Sequence, residues 1–326
     1  MSLTRLKARH SSQKRYLKSR QEEMAKPIED TKPLPIILSW AYKILILVFF
    51  GLILIFPFYF MINESLLNQN WQDTWSRDSI IWYPHDLNSN KIALYWSNFK
   101  KALESGYGKA ILFTAAITAL SVVLRIFFSV TFGYAFAIKK WTGKNQWWGF
   151  FLMLLVLPEV ALLAGQYSIV SKLNWLQGPQ RVLALAMPFA ASVFSGFMYR
   201  NAFEAIPNSV RESAMLDGAS GFKFFTQIAL PMVKPTTWTV AILTAFASWN
   251  SYTWPLVVLG KNWKGAWTVM NIWLRDTGKD PIDDRVYVSI RMAATILAIL
   301  PMMIVYFVLR KRIMNAISRQ GKATKG

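Results

Sequence analysis

This sequence predicts an all-α integral membrane fold with six transmembrane helices. Two bulk properties point there first: 54% of the 326 residues are apolar and only 17% are charged. An ordinary soluble domain is roughly 25% charged. The third observation is local. Apolar stretches at about 37–62, 110–138, 147–169, 182–199, 236–259 and 286–309 each supply the ~20 residues that a helix needs to cross a hydrocarbon core. The helix is expected because every backbone polar group there must be satisfied within its own segment. This composition excludes a disordered chain and disfavours a soluble globular one.

Taken in order, residues 1–33 form a polar tail with nine Lys/Arg and four acids. The apolar run starts too late for a cleavable signal peptide, so the tail is expected to stay on the cytoplasmic side. Residues 34–309 carry the spans, and 310–326 form a second basic tail. With the N-terminus inside, the cytoplasmic segments 1–33, 139–146, 200–235 and 310–326 hold 22 Lys/Arg and 7 acids. The external loops 63–109, 170–181 and 260–285 hold 12 and 9. The positive-inside rule therefore puts both termini in the cytoplasm. The net charge of +20 is read as attraction to anionic membrane lipid, not to nucleic acid. Loop 63–109 is rich in tryptophan (Trp71, Trp75, Trp82, Trp96). An interfacial aromatic belt and a surface for an extracellular partner both fit it.

Several chemistries are missing. With no cysteine, disulfides, thiolate zinc sites and thiol catalysis are excluded. His10 and His85 are too few for a histidine metal cluster. Neither G-x-x-x-x-G-K-[ST] nor H-E-x-x-H occurs. Gly218-Ala219-Ser220-Gly221 superficially resembles the serine motif of rhomboid proteases, but no span carries the histidine base that such chemistry requires. These enzyme readings therefore fail, and an energy-coupled transporter with no phosphate loop of its own would have to use an ion gradient or borrow a partner's ATPase.

The most informative segment runs from Phe203 to Gly221. Pro207 suits a helix's first turn and Gly218 its end. Val210, Ala214 and Asp217 fall on one ridge, with Arg211 and Glu212 pointing elsewhere. Glycines 218 and 221 allow a bend into a second short helix, from Phe222 to Leu230, stopped at Pro231. On these features alone, a connector lying on lipid headgroups fits as well as a docking element.

Glu212-Ser213-Ala214-x-x-x-Gly218, followed by Ile228-Ala229-Leu230-Pro231, resembles the E-A-A-x-x-x-G…I-x-L-P loop of binding-protein-dependent ABC import permeases. Phe203…Ile206-Pro207, Asp217-Gly218-Ala219-Ser220 and Ser248-Trp249-Asn250-x-x-x-Trp254-Pro255-Leu256 extend the resemblance to the carbohydrate-uptake branch. Within that branch it is similar to the subfamily containing the second permease of the maltose transporter. Ser213 stands where the family usually has alanine, and the C-terminal tail follows the family's ending only loosely. The resemblance implies a coupling helix formed by Arg211, Glu212, Ser213, Ala214, Leu216, Asp217 and Gly218, seated in a groove of a separate ATPase subunit. It also implies a second homologous permease, two copies of an ATP-binding subunit and an extracytoplasmic solute-binding protein, in a bacterial cytoplasmic membrane. ATP and Mg would sit on the ATPase, with no cofactor on this chain.

Inside the spans, Lys43 and Arg291 lie near the ends and can snorkel. Arg125 and Glu159 fall near the centres, where an isolated charge is expensive. Mutual pairing between spans two and three is expected, with contact to a water-filled path as the alternative. Pro158 should bend span three. Trp249, Asn250, Tyr252 and Trp254, together with Glu159, are the candidate translocation path, because aromatic faces and amides suit sugars. Helix packing plus an aromatic belt is the plainer alternative. The expected solute is a sugar or oligosaccharide; a sugar phosphate or acidic oligosaccharide stays open. An ion-coupled secondary transporter is disfavoured, since no inverted repeat is visible.

Overall fold

The computed structural model describes residues 33–69, 81–86, 91–260, 267–280, 282 and 285–323. Trp71, Trp75 and most of the N-terminal tail lie outside the described residues. Helices dominate what is described, with only isolated bridges at His85–Ile92 and Lys279–Val286. The chain divides into Met1–Tyr59 and Phe60–Gly326.

The described part of the first unit is most of helix α1 (Pro33–Ser65). Its large side chains from Leu38 to Tyr59 are exposed apart from the half-buried Ile46, and none of its most apolar window is buried. A helix apolar all round, without a polar face, is one made for lipid or for other helices.

In the second unit, the first predicted stretch ends where the buried Asn98 of α2 (Ser97–Ala102) donates to the carbonyls of Ser65 at 2.9 Å and Leu67 at 2.8 Å. A π turn (Leu103–Tyr107) leads into α3 (Gly108–Ala137). The third stretch is two helices, α4 (Lys144–Leu154) and α5 (Glu159–Lys172), parted at Pro158. The fourth is also broken. Helix α6 (Arg181–Ala186), a 3₁₀ turn (Met187–Phe189) and α7 (Val193–Glu204) bend by 54°.

Helices α8 (Asn208–Leu216) and α9 (Gly221–Phe224), a π turn (Phe225–Ala229) and α10 (Leu230–Met232) connect to the fifth stretch. That stretch divides into α11 (Lys234–Trp249) and α12 (Thr253–Leu259). Helix α13 (Met270–Asp276) precedes α14 (Val288–Ala323). Among the described residues, Leu38–Ser65, Ser97–Ala137 and Val288–Arg310 are single helices long and apolar enough to cross a membrane, and the bent α6–α7 pair adds a composite one. The other predicted spans, like the fourth, are interrupted where proline removes a donor or where the backbone turns out of the helix.

Helix α3 organises the unit. Its buried residues Ala110, Thr114, Ile117 and Ser121 recur at helical spacing, continued by Ser129, Val130, Gly133 and Phe136. Small residues on this face let α7 approach closely. A Cβ placed on Gly133 would lie 2.5 Å from Tyr199 Cβ and 2.9 Å from the Arg200 nitrogen. A Cβ on Gly196 would strike the Phe132 ring. Against α11, Ser248 Oγ donates to Ser121 Oγ at 3.3 Å.

The α3–α7 contact gives a direct test of the fold. Gly133→Val should lower the melting temperature of the purified protein, through overpacking worth about 1–3 kcal/mol. Unchanged melting would mean that these helices do not meet at Gly133.

Candidate coupling site and solute path

Pro207, with an extended backbone, sets the start of α8. Its end is a Schellman motif. Gly218 takes φ +69°, the Ala219 N–H donates to the Ala214 carbonyl at 2.8 Å, and the Gly218 N–H donates to that of Met215 at 3.1 Å. A Cβ on Gly218 would meet nothing within 4 Å, so glycine is required there by conformation, not by space. Ala214 and Ala219 turn inward onto Phe203, Phe224, Ala229 and Val233. Tyr134 of α3 closes this floor, its ring 5.4 Å from Phe203 and 4.7 Å from Phe225. One apolar cluster thus joins α8 to α3, α7 and α11.

The outer face is different. Glu212, Ser213, Met215, Leu216, Asp217 and Phe222 are exposed, Leu216 at 89% and Phe222 at 79%. An apolar tip with a charged rim, held on a fixed backbone, has the make-up of a docking surface.

Two details differ from the sequence reading. Arg211 turns inward, its Nη2 donating to the Phe203 carbonyl at 3.0 Å, while Asp217 is the exposed C-terminal cap. Pro231 does not stop the second helix. The backbone runs helical from the π turn through Leu230, so the widened turn takes up the missing N–H of Pro231, and the break falls at Val233.

The candidate path residues separate. Trp249 is buried among Ala102, Met270 and Ala293. Trp254 is buried on α6, and its indole donates to the Ala184 carbonyl at 3.0 Å. That carbonyl lies four residues before Pro188, whose ring leaves it without a helical donor. Trp254 is therefore a structural cap. Asn250 and Tyr252 are exposed in the turn between α11 and α12. Asn250 opens onto a cavity of about 370 Å³ with Phe246, Trp249, Asn271, Thr295, Met303 and Tyr306, and among the described residues no charged side chain lines it. Asn271, which the sequence reading missed, donates through Nδ2 to the carbonyls of Trp249 at 3.3 Å and Ser251 at 3.0 Å. It holds the break open from a loop helix that carried no pattern of its own.

Arg125 donates through Nε to the Phe189 carbonyl at the bend between α6 and α7, a partner that hydropathy could not reveal. Glu159 is the first residue of α5, and its side chain lies outside the described residues.

Beyond the α11–α12 break, Arg275 forms a fork on Asp276 at 3.1 and 3.0 Å. Lys279 reaches Asp276 at 2.9 Å. The bond to Asp276 is the main cause that holds the Arg275 guanidinium above its ordinary value. For Asp276, burial alone would push the carboxyl up. The hydrogen bonds and charges of Arg275 and Lys279 outweigh it and hold the carboxyl below its usual range. Arg291 anchors the turn, donating through Nη2 to the Arg275 carbonyl at 2.9 Å.

Apolar helices, several of them broken, and a loop presenting an exposed apolar tip are the make-up of a membrane permease. The chain belongs to the family described as the binding-protein-dependent transport system inner membrane component, which it matches over residues 126–319. The probable ABC transporter permease protein MG189 homolog of Mycoplasma pneumoniae is 44% identical over 96% of this chain and 97% of its own length. The arabinooligosaccharides transport system permease protein AraQ of Halalkalibacterium halodurans is 30% identical over 45% of this chain and 51% of its own. A crystal structure of a bacterial ABC transporter involved in the import of the acidic polysaccharide alginate shares the fold. Its TM-score is 0.65 at 20% identity, over 88% of this chain and 99% of the matched one. This chain is an ABC permease subunit, and its relatives are transporter subunits, not enzymes.

The Asp276 cluster yields a pH test. Because the folded carboxyl sits below its unfolded value, its stabilisation is complete above the ordinary carboxylate pKa of about 4 and is lost as pH falls through the folded value. Asp276→Asn should therefore melt lower than the parent at neutral pH, and the gap should close in acid. A gap independent of pH would show that the carboxylate charge is not what holds this turn.

Proposed function

We propose that this chain is one of two homologous permease subunits of a bacterial ABC importer for sugars or oligosaccharides, and that α8 is its coupling helix. The observation that carries the reading is the coupling unit itself: an apolar tip at Leu216 and Phe222 on a backbone locked by the Gly218 motif, over a floor shared with three spans. Such a unit passes a push on its tip to the spans as rigid-body motion. The partners are the second permease, two ATPase subunits that bind ATP and Mg, and an extracytoplasmic binding protein. The broken stretches count as composite spans, which makes six, with both termini in the cytoplasm. The solute assignment draws on the AraQ likeness and on a cavity lined by two amides, a hydroxyl, aromatic rings, methionines and the aliphatic Leu274, Ala298 and Ile299, with no charged side chain among the described residues. That lining favours a neutral sugar over a sugar phosphate.

Two experiments address this reading. Gly218→Val should misplace the tip, at a strain cost of about 1 kcal/mol or more. ATP-driven uptake should fall sharply while the protein still inserts, and Glu212→Arg should do the same by reversing the rim charge. Normal uptake in both variants would remove α8 from the coupling role. Reporter fusions at Lys14 and Asn88 should land on opposite sides of the membrane. Finding both on one side would overturn the orientation.

A further inference from the structure

Arg211 is the single cation of α8, and its surroundings do not balance its charge. It is half-buried. Its Nη2 donates to the Phe203 carbonyl at 3.0 Å, while its Nε is buried without a hydrogen-bond partner. No carboxylate is recorded in an ion pair with it among the described residues. The Phe203 carbonyl already accepts from the Ile206 N–H at 3.2 Å, so it does not depend on the guanidinium. Burying a partly satisfied cation lowers stability, and an apolar side chain of similar length carries no such cost. A residue that lowers stability where it sits is expected to do something else.

Its position says what. Only Ala205, Ile206 and Pro207 separate α7 from α8, and Ala214 is the buried residue of α8, so the apolar floor pins the helix near its C-terminal end and a second contact is needed to set its angle at the other. The guanidinium ties the first turn of α8 to the last turn of α7, where the helix dipole favours a cation. Beside it, the Tyr134 ring of α3 packs on Phe203 and Phe225.

We propose that Arg211 is the positioning residue of the coupling unit. Held on the Phe203 carbonyl, it fixes the angle between α8 and α7, so that force on the exposed tip moves the fourth span and does not swivel α8 on its short hinge. This rests on the coupling role of α8. Glu212, Leu216 and Phe222 receive the push; Arg211 transmits it.

The chain has no cysteine, so Met303→Cys on the cavity wall makes a single reporter. Its labelling by a membrane-impermeant maleimide is measured with and without ATP and vanadate, in native membranes holding the complete transporter. Nucleotide trapping should change the parent labelling rate about tenfold, within the usual range of coupling between sites. In the Arg211→Met background the change should shrink to about twofold or less, while ATP hydrolysis continues and the melting temperature holds or rises. Arg211→Lys, which keeps the charge without the fork, should restore part of the change. A full labelling change in Arg211→Met overturns the proposal. So does a loss accompanied by a lowered melting temperature, which would mark a purely structural residue. Leu216→Asp separates the two readings. If it leaves the labelling change intact, the coupling role and this proposal fall together. If it abolishes the change while Arg211→Met does not, only the role of Arg211 falls.

Discussion

Everything in the second unit depends on one constraint: a helix that is broken inside a membrane must have its freed carbonyls met by a donor from elsewhere. Pro188 leaves the Ala184 carbonyl without its helical partner, and the Trp254 indole takes it. Pro301 does the same to Leu297, whose carbonyl accepts from the Tyr107 hydroxyl at 3.1 Å. The break after α11 frees Trp249 and Ser251, and Asn271 serves both. Arg125 answers the Phe189 carbonyl at the α6–α7 bend. Each donor comes from a different helix than the carbonyl it meets. The interruptions therefore act as rivets between elements and not as weaknesses in them.

This arrangement explains why the unit can be both broken and stiff. Close backbone approach at Gly133 and Gly196 fixes α3 against α7 by shape, and the rivets fix the helix ends by polarity. At the coupling end the same logic uses aromatic rings: Tyr134, Phe203 and Phe225 meet edge to face, which sets orientation as well as contact. A stiff body with few discrete contacts suits a two-position device, since packed interfaces switch between arrangements and do not deform smoothly.

How much of this was legible beforehand follows from which signals are local. The helical membrane fold was legible because hydropathy is a property of consecutive residues. The turn at Gly218 was legible because a left-handed cap is written in one residue and its neighbours. The breaks were only partly legible. Pro158 announced one of them, but the π turn at Phe225–Ala229 absorbed the consequence expected of Pro231, and no run of residues encodes that absorption. The cap partners were not legible at all. Trp254 reads as a sugar platform or a belt residue until the Ala184 carbonyl is placed beside it, and Asn271 has no periodicity to mark it. Arg211 was misdirected for the same reason: a helical wheel assigns charge to the outside, whereas the Phe203 carbonyl, eight residues back, keeps a second lone pair that the guanidinium meets.

Two of the exposed apolar surfaces show the same economy from the outside, each considered within its own unit. From Leu38 to Tyr59 the exposed side chains surround the helix on every side, with no acid and only Lys43 among them. Such a surface is satisfied by any apolar neighbour, lipid included, and specifies position only weakly. The tip at Leu216 and Phe222 is small and ringed by Glu212, Asp217 and Lys223. Lipid would satisfy its apolar part but leave the mixed charges badly placed, because a bare carboxylate gains nothing from an anionic headgroup surface. A protein groove with complementary charges satisfies both parts, and it does so in one orientation. The physical difference between these two surfaces is therefore the ring of charge around the apolar centre, and the Gly218 cap is what keeps that ring in register with its centre.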